Sequence, residues 1–280
     1  MKRAIQFAIV CFCAFASANA SSGAESPPKG TVAIVDVLEN EVVFAADSRV
    51  TKDDGSYTDD DCKILTLKDD AIFVSGGPQR RVAYRYGTAE RALDSYVLAK
   101  KAIELRRTKR RSDTLASFAA NYWAIHEKQF FEEISVTNPN FSPIDMDLVS
   151  AGFASRDATG DLSVYFADVR LAKGQHGRVQ VNQIVEPRLA GQGELPGNKV
   201  IVQEFLHHGQ SERAKAAILQ WEKTLPRSIS SQDHDERFDL QLIQWTVDLS
   251  HQAMIGGDVN AVVLDRKGIR WPAQKQYCRH

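Results

Sequence analysis

The sequence has few of the features that identify metal sites, membrane spans or nucleic-acid interfaces. Only four of its 280 residues are cysteines, and its seven histidines form no His-Glu-x-x-His motif or close ligand set, so no metal site is predicted. The formal net charge of −1 gives no reason to expect nucleic acid as a partner. Beyond the first twenty residues no run approaches the ~18 apolar residues that a spanning helix needs, so the mature chain is not expected to be membrane-embedded.

The composition that remains is that of a globular protein with a leader. Residues 1–20 combine a basic head, an apolar stretch and the small-residue pattern Ala18-Asn19-Ala20, which predicts a signal peptide cleaved after about Ala20; a retained anchor is the alternative. Residues 21–30 are small, polar and proline-bearing, as in a propeptide or spacer. Residues 31–280 form the expected single domain. The predicted localisation is secreted or periplasmic.

Two cysteines remain once the leader is removed. Cys11 and Cys13 lie inside the predicted signal peptide, whereas Cys62 and Cys278 lie in the domain. An oxidising compartment permits a disulfide between the latter two, but their spacing alone does not show one. The pairing is therefore left open by the sequence.

Strand-like and helix-like runs occur in blocks along the domain. Runs rich in β-branched and aromatic residues predict strands at Thr31–Leu38, Glu41–Ala46, Lys63–Leu67, Ala71–Val74, Asp147–Ala154, Leu162–Leu171, Val179–Val185, Val259–Leu264 and Gly268–Trp271. Apolar residues at helix spacing predict helices at Arg80–Arg107, Ser112–Ile134, Lys199–His207, Glu212–Trp221 and Arg237–Ile255. Such grouping favours sheets packed on each other with helices outside.

One set of residues near the start of the domain has the composition of a catalytic site. Gly30-Thr31 stands directly before the first apolar strand, and Asp47, Lys63 and Gly77 follow Thr31 by 16, 32 and 46 positions. A threonine hydroxyl is a poor nucleophile until a base takes its proton, and a free α-amino group on the same residue can be that base. The pattern therefore predicts a threonine that works at a newly made N-terminus.

These residues resemble those of a proteasome β-type subunit, a member of the N-terminal nucleophile hydrolases. The motifs that carry the resemblance are Gly30-Thr31, Ala45-Ala46-Asp47-Ser48-Arg49, Lys63 and Gly76-Gly77, with weaker returns at Gly191-Gln192-Gly193 and Ala253–Leu264. The spacing of the four functional positions matches that of the family. The resemblance implies an α+β fold of the four-layer αββα sandwich type, and it leaves a homo-oligomer open, because family members assemble into rings.

The resemblance also assigns a role to each position. Thr31 would be the nucleophile, and the nearby Lys63 ammonium would lower the pKa of its α-amine. Asp47 would pair with that lysine and fix it. The backbone N–H of Gly77 would face the developing oxyanion. No cofactor is implied.

The same set would expose its own nucleophile. Thr31 can attack the Gly30 carbonyl, transfer the acyl group to oxygen and let water release it; glycine tolerates the turn that this attack requires. Gly30 and Thr31 are therefore the predicted autocleavage pair. Arg49 is expected to support the site by ion pairing.

Three positions depart from the family pattern. Gln192 stands where the family has a serine, and Gln252 and Ile255 stand where it has an aspartate and a serine. The two glutamines could substitute as hydrogen-bonding groups in supporting roles, but the isoleucine cannot. The expected function is an exported, autoprocessed threonine-type hydrolase of peptide or other amide bonds. The alternatives are a catalytically impaired proteasome-like binding or assembly protein and a small-amide hydrolase.

Overall fold

The computed structural model describes residues 31–37, 40–51, 56–59, 61–76, 80–85, 88–108, 113–137, 148–173, 179–188, 199–203 and 256–273, with 220, 223–224, 241, 244 and 278. In chain order the strands are β1 (Thr31–Val37), β2 (Glu41–Asp47), β3 (Val50–Thr51), β4 (Tyr57–Thr58), β5 (Ile64–Leu67), β6 (Ala71–Gly76), β7 (Arg80–Arg85), β8 (Thr88–Asp94), β9 (Leu148–Arg156), β10 (Leu162–Lys173), β11 (Val179–Arg188), β12 (Lys199–Gln203), β13 (Val259–Asp265) and β14 (Gly268–Ala273). The helices are α1 (Ser95–Thr108) and α2 (Leu115–Thr137).

Two five-stranded antiparallel sheets dominate the described residues. The first sheet has the order β12-β1-β2-β13-β14, and the second has the order β11-β10-β9-β6-β5. β3 pairs with β4, and β7 pairs with β8, as separate two-stranded hairpins. β2 lies in the middle of the first sheet, and all seven of its residues are buried.

The second sheet separates two apolar cores. Ile72 and Val74 of β6 pack between the sheets, against residues that include Phe44 of β2. Phe73 points to the opposite face and packs with Trp123 of α2, their ring centroids 6.4 Å apart. This alternation follows from the pleat of a strand, in which successive side chains point to opposite faces.

Both helices begin at a side-chain cap and bury an apolar face on the second sheet. Asp94 accepts hydrogen bonds from the backbone N–H groups of Tyr96 and Val97 at 2.9 and 3.0 Å, which caps α1. Thr114 accepts one from the N–H of Ser117 at 3.2 Å, ahead of α2. The buried residues of these helices include Leu98, Ala99, Ala102, Ile103, Ala116, Ala119, Ala120, Trp123, Phe130, Phe131 and Ile134.

The predicted four-layer αββα sandwich is wrong. The described residues form a mostly β structure, two antiparallel sheets with two helices packed on the second sheet. Two predicted helices account for much of the difference. The first half of Arg80–Arg107 is the antiparallel pair β7 and β8, and Lys199–His207 begins as β12, which pairs with β1.

The physical reason is that apolar spacing alone does not separate short strands from helices. Val200, Ile201 and Val202 are β-branched and gain a complete set of ladder partners beside β1. Val82 and Tyr84 are β-favouring residues two positions apart, which is the period of a strand. The predicted helices Glu212–Trp221 and Arg237–Ile255 fall almost wholly outside the described residues.

Other element predictions are confirmed. The strands predicted at Thr31–Leu38, Glu41–Ala46, Lys63–Leu67, Ala71–Val74, Val259–Leu264 and Gly268–Trp271 are present, and consecutive members pair as β1 with β2, β5 with β6, and β13 with β14. α2 occupies most of the range predicted for the second helix. These segments have partners close in sequence or long, unbroken periodicity, and both make local patterns informative.

Candidate active site

The first sheet brings the predicted nucleophile and the predicted aspartate to one end. Thr31 is the first residue of β1, and Asp47 is the last residue of β2. Ala33 pairs with Ala46 in this antiparallel hairpin. Thr31 and Asp47 therefore lie together at the end of the hairpin that is remote from its turn. β13 begins beside the same end, because Val259 pairs with Asp47.

A buried ion pair occupies this end of the sheet. Lys63 Nζ lies 2.8 Å from Asp47 Oδ1, and the side chains are 4% and 0% exposed. The second carboxylate oxygen, Oδ2, accepts a hydrogen bond of 3.2 Å from the backbone N–H of Gly256. A buried charge pair is stable only when further hydrogen bonds satisfy its remaining atoms. The contact that the sequence predicted between Asp47 and Lys63 is thus present, with a third partner that the sequence did not indicate.

The backbone around Lys63 is held from two sides. Residues 61–63 belong to no helix or strand. The Tyr96 hydroxyl donates a hydrogen bond to the Lys63 carbonyl, and Cys62 forms a disulfide with Cys278. Burial raises the pKa of the Tyr96 phenol, which keeps it protonated as a donor at neutral pH. The disulfide that the sequence left open is therefore formed.

Arg49 is paired, as predicted, and its partner is Asp59, which directly follows β4. Its Nε and Nη2 donate to the two carboxylate oxygens of Asp59 at 2.6 and 2.8 Å, a bidentate geometry. The guanidinium carbon lies 3.9 Å from the ring centroid of Tyr57. The hydrogen bond from Arg49 lowers the pKa of Asp59, and the same bond raises the pKa of Arg49. Arg49 thus fixes the β3–β4 hairpin beside the buried pair.

The two glycines before β13 allow close packing against this cluster. Gly257 has φ +76°, and a Cβ placed there would lie 2.3 Å from Ser48 Oγ. A Cβ on Gly256 would lie 2.4 Å from the Arg49 guanidinium carbon. In this space the Ser48 hydroxyl accepts a hydrogen bond of 2.8 Å from the N–H of Asp258 and donates one of 2.6 Å to the Asp59 carbonyl. Position 257 therefore requires glycine, because of its left-handed backbone and the nearby Ser48 and Asp59 atoms, whereas a Cβ at Gly256 would displace the Arg49 guanidinium.

The second sheet contains a buried polar pair beside the last residue of β6. Gly76, the last residue of β6, pairs with Ser150 of β9, which pairs in turn with Asp168 of β10. Ser150 donates a hydrogen bond of 2.7 Å to Asp168, and both are buried. Neither residue could be selected from the sequence, because a serine and an aspartate inside strand-like runs carry no local signal.

Several predicted site residues lie outside the described residues. Those are Gly30, Gly77, Gln192, Gln252 and Ile255, and for Thr31 only the backbone is described. The oxyanion role, the autocleavage site and the supporting glutamines therefore stay predictions. Within the described part of the chain, no group of three or more His, Cys, Asp or Glu residues could hold a metal ion.

Comparison with known proteins leaves the family open. No protein-family model matches the chain, and no curated protein matches it. Among the described residues, no helix is long and apolar enough to cross a membrane. Any functional conclusion must therefore come from the residues themselves.

Proposed function

We propose that the protein is an exported, autoprocessed threonine-type hydrolase that resembles proteasome β-type subunits in its N-terminal nucleophile chemistry. The observation that carries the proposal is the buried Asp47–Lys63 ion pair at the end of the sheet where Thr31 begins β1. A lysine ammonium buried beside a carboxylate is costly to keep, and such groups concentrate at functional sites. The substrate would be a peptide or another amide.

The chemistry follows from the residue types. The Thr31 hydroxyl oxygen attacks the amide carbonyl while its proton passes to the α-amine of the same residue. The amine then protonates the leaving nitrogen as the carbon–nitrogen bond breaks, which leaves an ester on Thr31. Water, deprotonated by the same amine, hydrolyses that ester. The Lys63 cation, fixed by Asp47, would keep the amine neutral and ready to act as the base.

The first experiment measures where the mature chain begins. Intact mass of the protein exported from its host should correspond to a start at Thr31, and Thr31→Ala should keep residues that precede position 31. Thr108→Ala, at the exposed end of α1, is the control and should mature normally. A wild-type chain that begins near Ser21 would overturn autoprocessing.

A second experiment separates the alternatives. Ile255 and Gln252 replace residues that the family uses to organise its amine, which favours the catalytically impaired binding or assembly protein. Panels of peptide and small-amide substrates, tested on a chain that begins at Thr31, distinguish the three readings. Turnover of peptides supports a threonine protease, and turnover of small amides alone supports a small-amide hydrolase. If neither kind of substrate is turned over, the binding or assembly protein is supported.

The disulfide supports the proposed localisation. Cys62 and Cys278 are joined, and such bonds form and persist mainly in oxidising compartments. A secreted or periplasmic protein, as proposed from residues 1–20, meets that condition.

A further inference from the structure

The disulfide lies directly beside the candidate catalytic lysine. Cys62 precedes Lys63, and its partner Cys278 is 216 residues away in sequence. Cys62 and Cys278 are 7% and 1% exposed, and both belong to the core between the sheets. The bond therefore anchors the peptide unit that carries Lys63 to a residue of the chain's C-terminal region.

The backbone on the two sides of Lys63 is held differently. Residues 61–63 belong to no helix or strand, although the Asp61 N–H donates to the Ser48 carbonyl at 3.3 Å, whereas Ile64, the residue after Lys63, begins β5 and pairs with Val74. On the far side, the Tyr96 hydroxyl holds the Lys63 carbonyl. The disulfide is therefore the covalent restraint on the N-terminal side of Lys63, opposite the β5 ladder and the Tyr96 hydrogen bond.

We propose that the Cys62–Cys278 disulfide is a positioning element for Lys63, so that the site becomes competent only in the oxidised protein. The inference rests on the proposed function, because it assumes that Lys63 acts on the Thr31 amine. Without the bond, residues 61–63 gain freedom, and the ammonium is no longer held at Asp47 in the buried position. A chain still in a reducing compartment would be kept inactive in this way.

Reduction by dithiothreitol is a balanced exchange. One thiolate of the reagent attacks a sulfur of the disulfide, forming a mixed disulfide and releasing the other cysteine as a thiolate. The second reagent thiolate then displaces the remaining cysteine. The reagent is oxidised to its cyclic disulfide, and Cys62 and Cys278 are reduced to thiols.

The direct test measures the chemical reactivity of the Lys63 amine. Full-length protein is treated with formaldehyde and a borane reductant, and methylation is followed by peptide mass spectrometry in the oxidised wild type, the dithiothreitol-treated wild type and Cys62→Ala/Cys278→Ala. The amine of Lys63 should react several-fold faster in the last two. Lys68, exposed in the turn before β6, should react equally in all three. Equal Lys63 rates would overturn the proposal.

Loss of stability needs its own control. Leu171→Ala removes a buried side chain on the helix-facing side of β10 and should lower the melting temperature without touching the Lys63 segment. Each variant is measured well below its own melting temperature, verified by circular dichroism. If Leu171→Ala raises Lys63 reactivity as much as loss of the disulfide does, positioning is refuted.

The mature N-terminus gives a second readout. An oxidised wild type that begins at Thr31, beside a double cysteine variant that keeps Gly30, supports positioning. Both chains beginning at Thr31 at equal rates would refute it. If the oxidised wild type does not begin at Thr31, the proposed function fails, while the Lys63 methylation rates still decide whether the disulfide positions the lysine.

Discussion

The two ends of β2 each carry a buried carboxylate, and the difference between them separates a structural ion pair from a candidate functional one. Glu41 is 1% exposed and Asp47 is 0% exposed. Arg270 Nη2 lies 2.9 Å from Glu41 Oε2, and Lys63 Nζ lies 2.8 Å from Asp47 Oδ1. The distances are almost equal. The partners are not, because the Arg270 side chain is 41% exposed and that of Lys63 is 4% exposed.

A partly exposed arginine keeps much of its hydration while it neutralises a carboxylate. At the other end both charges are removed from water, and their attraction must offset two desolvation costs. The second arrangement needs extra hydrogen bonds, such as the one from Gly256 to Asp47. The burial of the cation, more than the presence of an ion pair, therefore marks the end of β2 where chemistry is to be sought.

The largest expected effect comes from removing the cation at each end of β2 in turn. Lys63→Ala leaves the buried Asp47 carboxylate without its cation and should lower the free energy of unfolding by about 3–5 kcal/mol. In Arg270→Ala, water can replace the partly exposed guanidinium beside Glu41. This variant should therefore lower the free energy of unfolding by only about 1–2 kcal/mol. Urea denaturation of the two variants measures both. The N-terminus should remain unprocessed in Lys63→Ala alone.

A double variant checks the cause of that loss. In Asp47→Leu/Lys63→Met both charges are replaced by apolar groups, and such replacements of buried pairs are often neutral or stabilising. Its stability should exceed that of Lys63→Ala, although its N-terminus should also stay unprocessed. A double variant as unstable as Lys63→Ala would show that packing, not the lone carboxylate, explains the first result.

Glycines near the two ends of β2 provide a further test of the same comparison. Gly257, beside Asp47, has φ +76° and no room for a Cβ, since Ser48 Oγ would lie 2.3 Å away. Gly160, which lies by Arg266, has φ +90° with its nearest Cβ neighbour at 3.7 Å. Gly160→Ala should cost about 1–2 kcal/mol from backbone strain alone, and Gly257→Ala should cost about 2–4 kcal/mol because overlap adds to strain. Thermal unfolding gives the order, and equal losses would contradict the close packing described at Ser48.

The smallest expected effect concerns the partly exposed Arg49–Asp59 pair beside the site. The hydrogen bond from Arg49 lowers the pKa of Asp59 in the folded protein. Its contribution is therefore fully present above the unfolded pKa of about 4 and is lost as pH falls through the folded pKa. Because the Asp59 side chain is 40% exposed, we expect only about 0.2–1 kcal/mol.

The measurement compares wild type with Asp59→Asn in urea at neutral and acidic pH. The charge-dependent part of the difference should be present at neutral pH and absent once Asp59 is protonated. Raised salt should also shrink it, since exposed pairs are screened. A difference that grows toward acid would contradict the assigned sign.

The sequence predicted the fold well where partners are close along the chain. β1 with β2 and β13 with β14 are hairpins whose β-rich runs lie a few residues apart. β12 pairs with β1 from far along the sequence, and no local pattern encodes that pairing. The αββα expectation came from the family resemblance, and helical spacing agreed with it in two runs that are strands: Lys199–Gln203, whose partner β1 is distant, and the local β7–β8 pair, which apolar spacing alone did not separate from a helix.

The same distinction between local and distant partners applies to the residues of the candidate site. Asp47, Lys63 and Arg49 could be selected because their spacing from Thr31 carries information. Tyr96 and Cys278 reach the Lys63 segment from α1 and from the C-terminal region. A tyrosine in a helical run and a solitary distant cysteine have no spacing to interpret, so only the folded chain shows their role.

The hairpin of β1 and β2 has a consequence for insertions and deletions. Each strand has seven residues, Thr31–Val37 and Glu41–Asp47, so the interval from Thr31 to Asp47 is almost entirely paired backbone. A one-residue change within either strand would exchange the faces of every side chain beyond it, turning Asp47 away from Lys63. Related sequences that share this site should therefore keep the length of this hairpin constant.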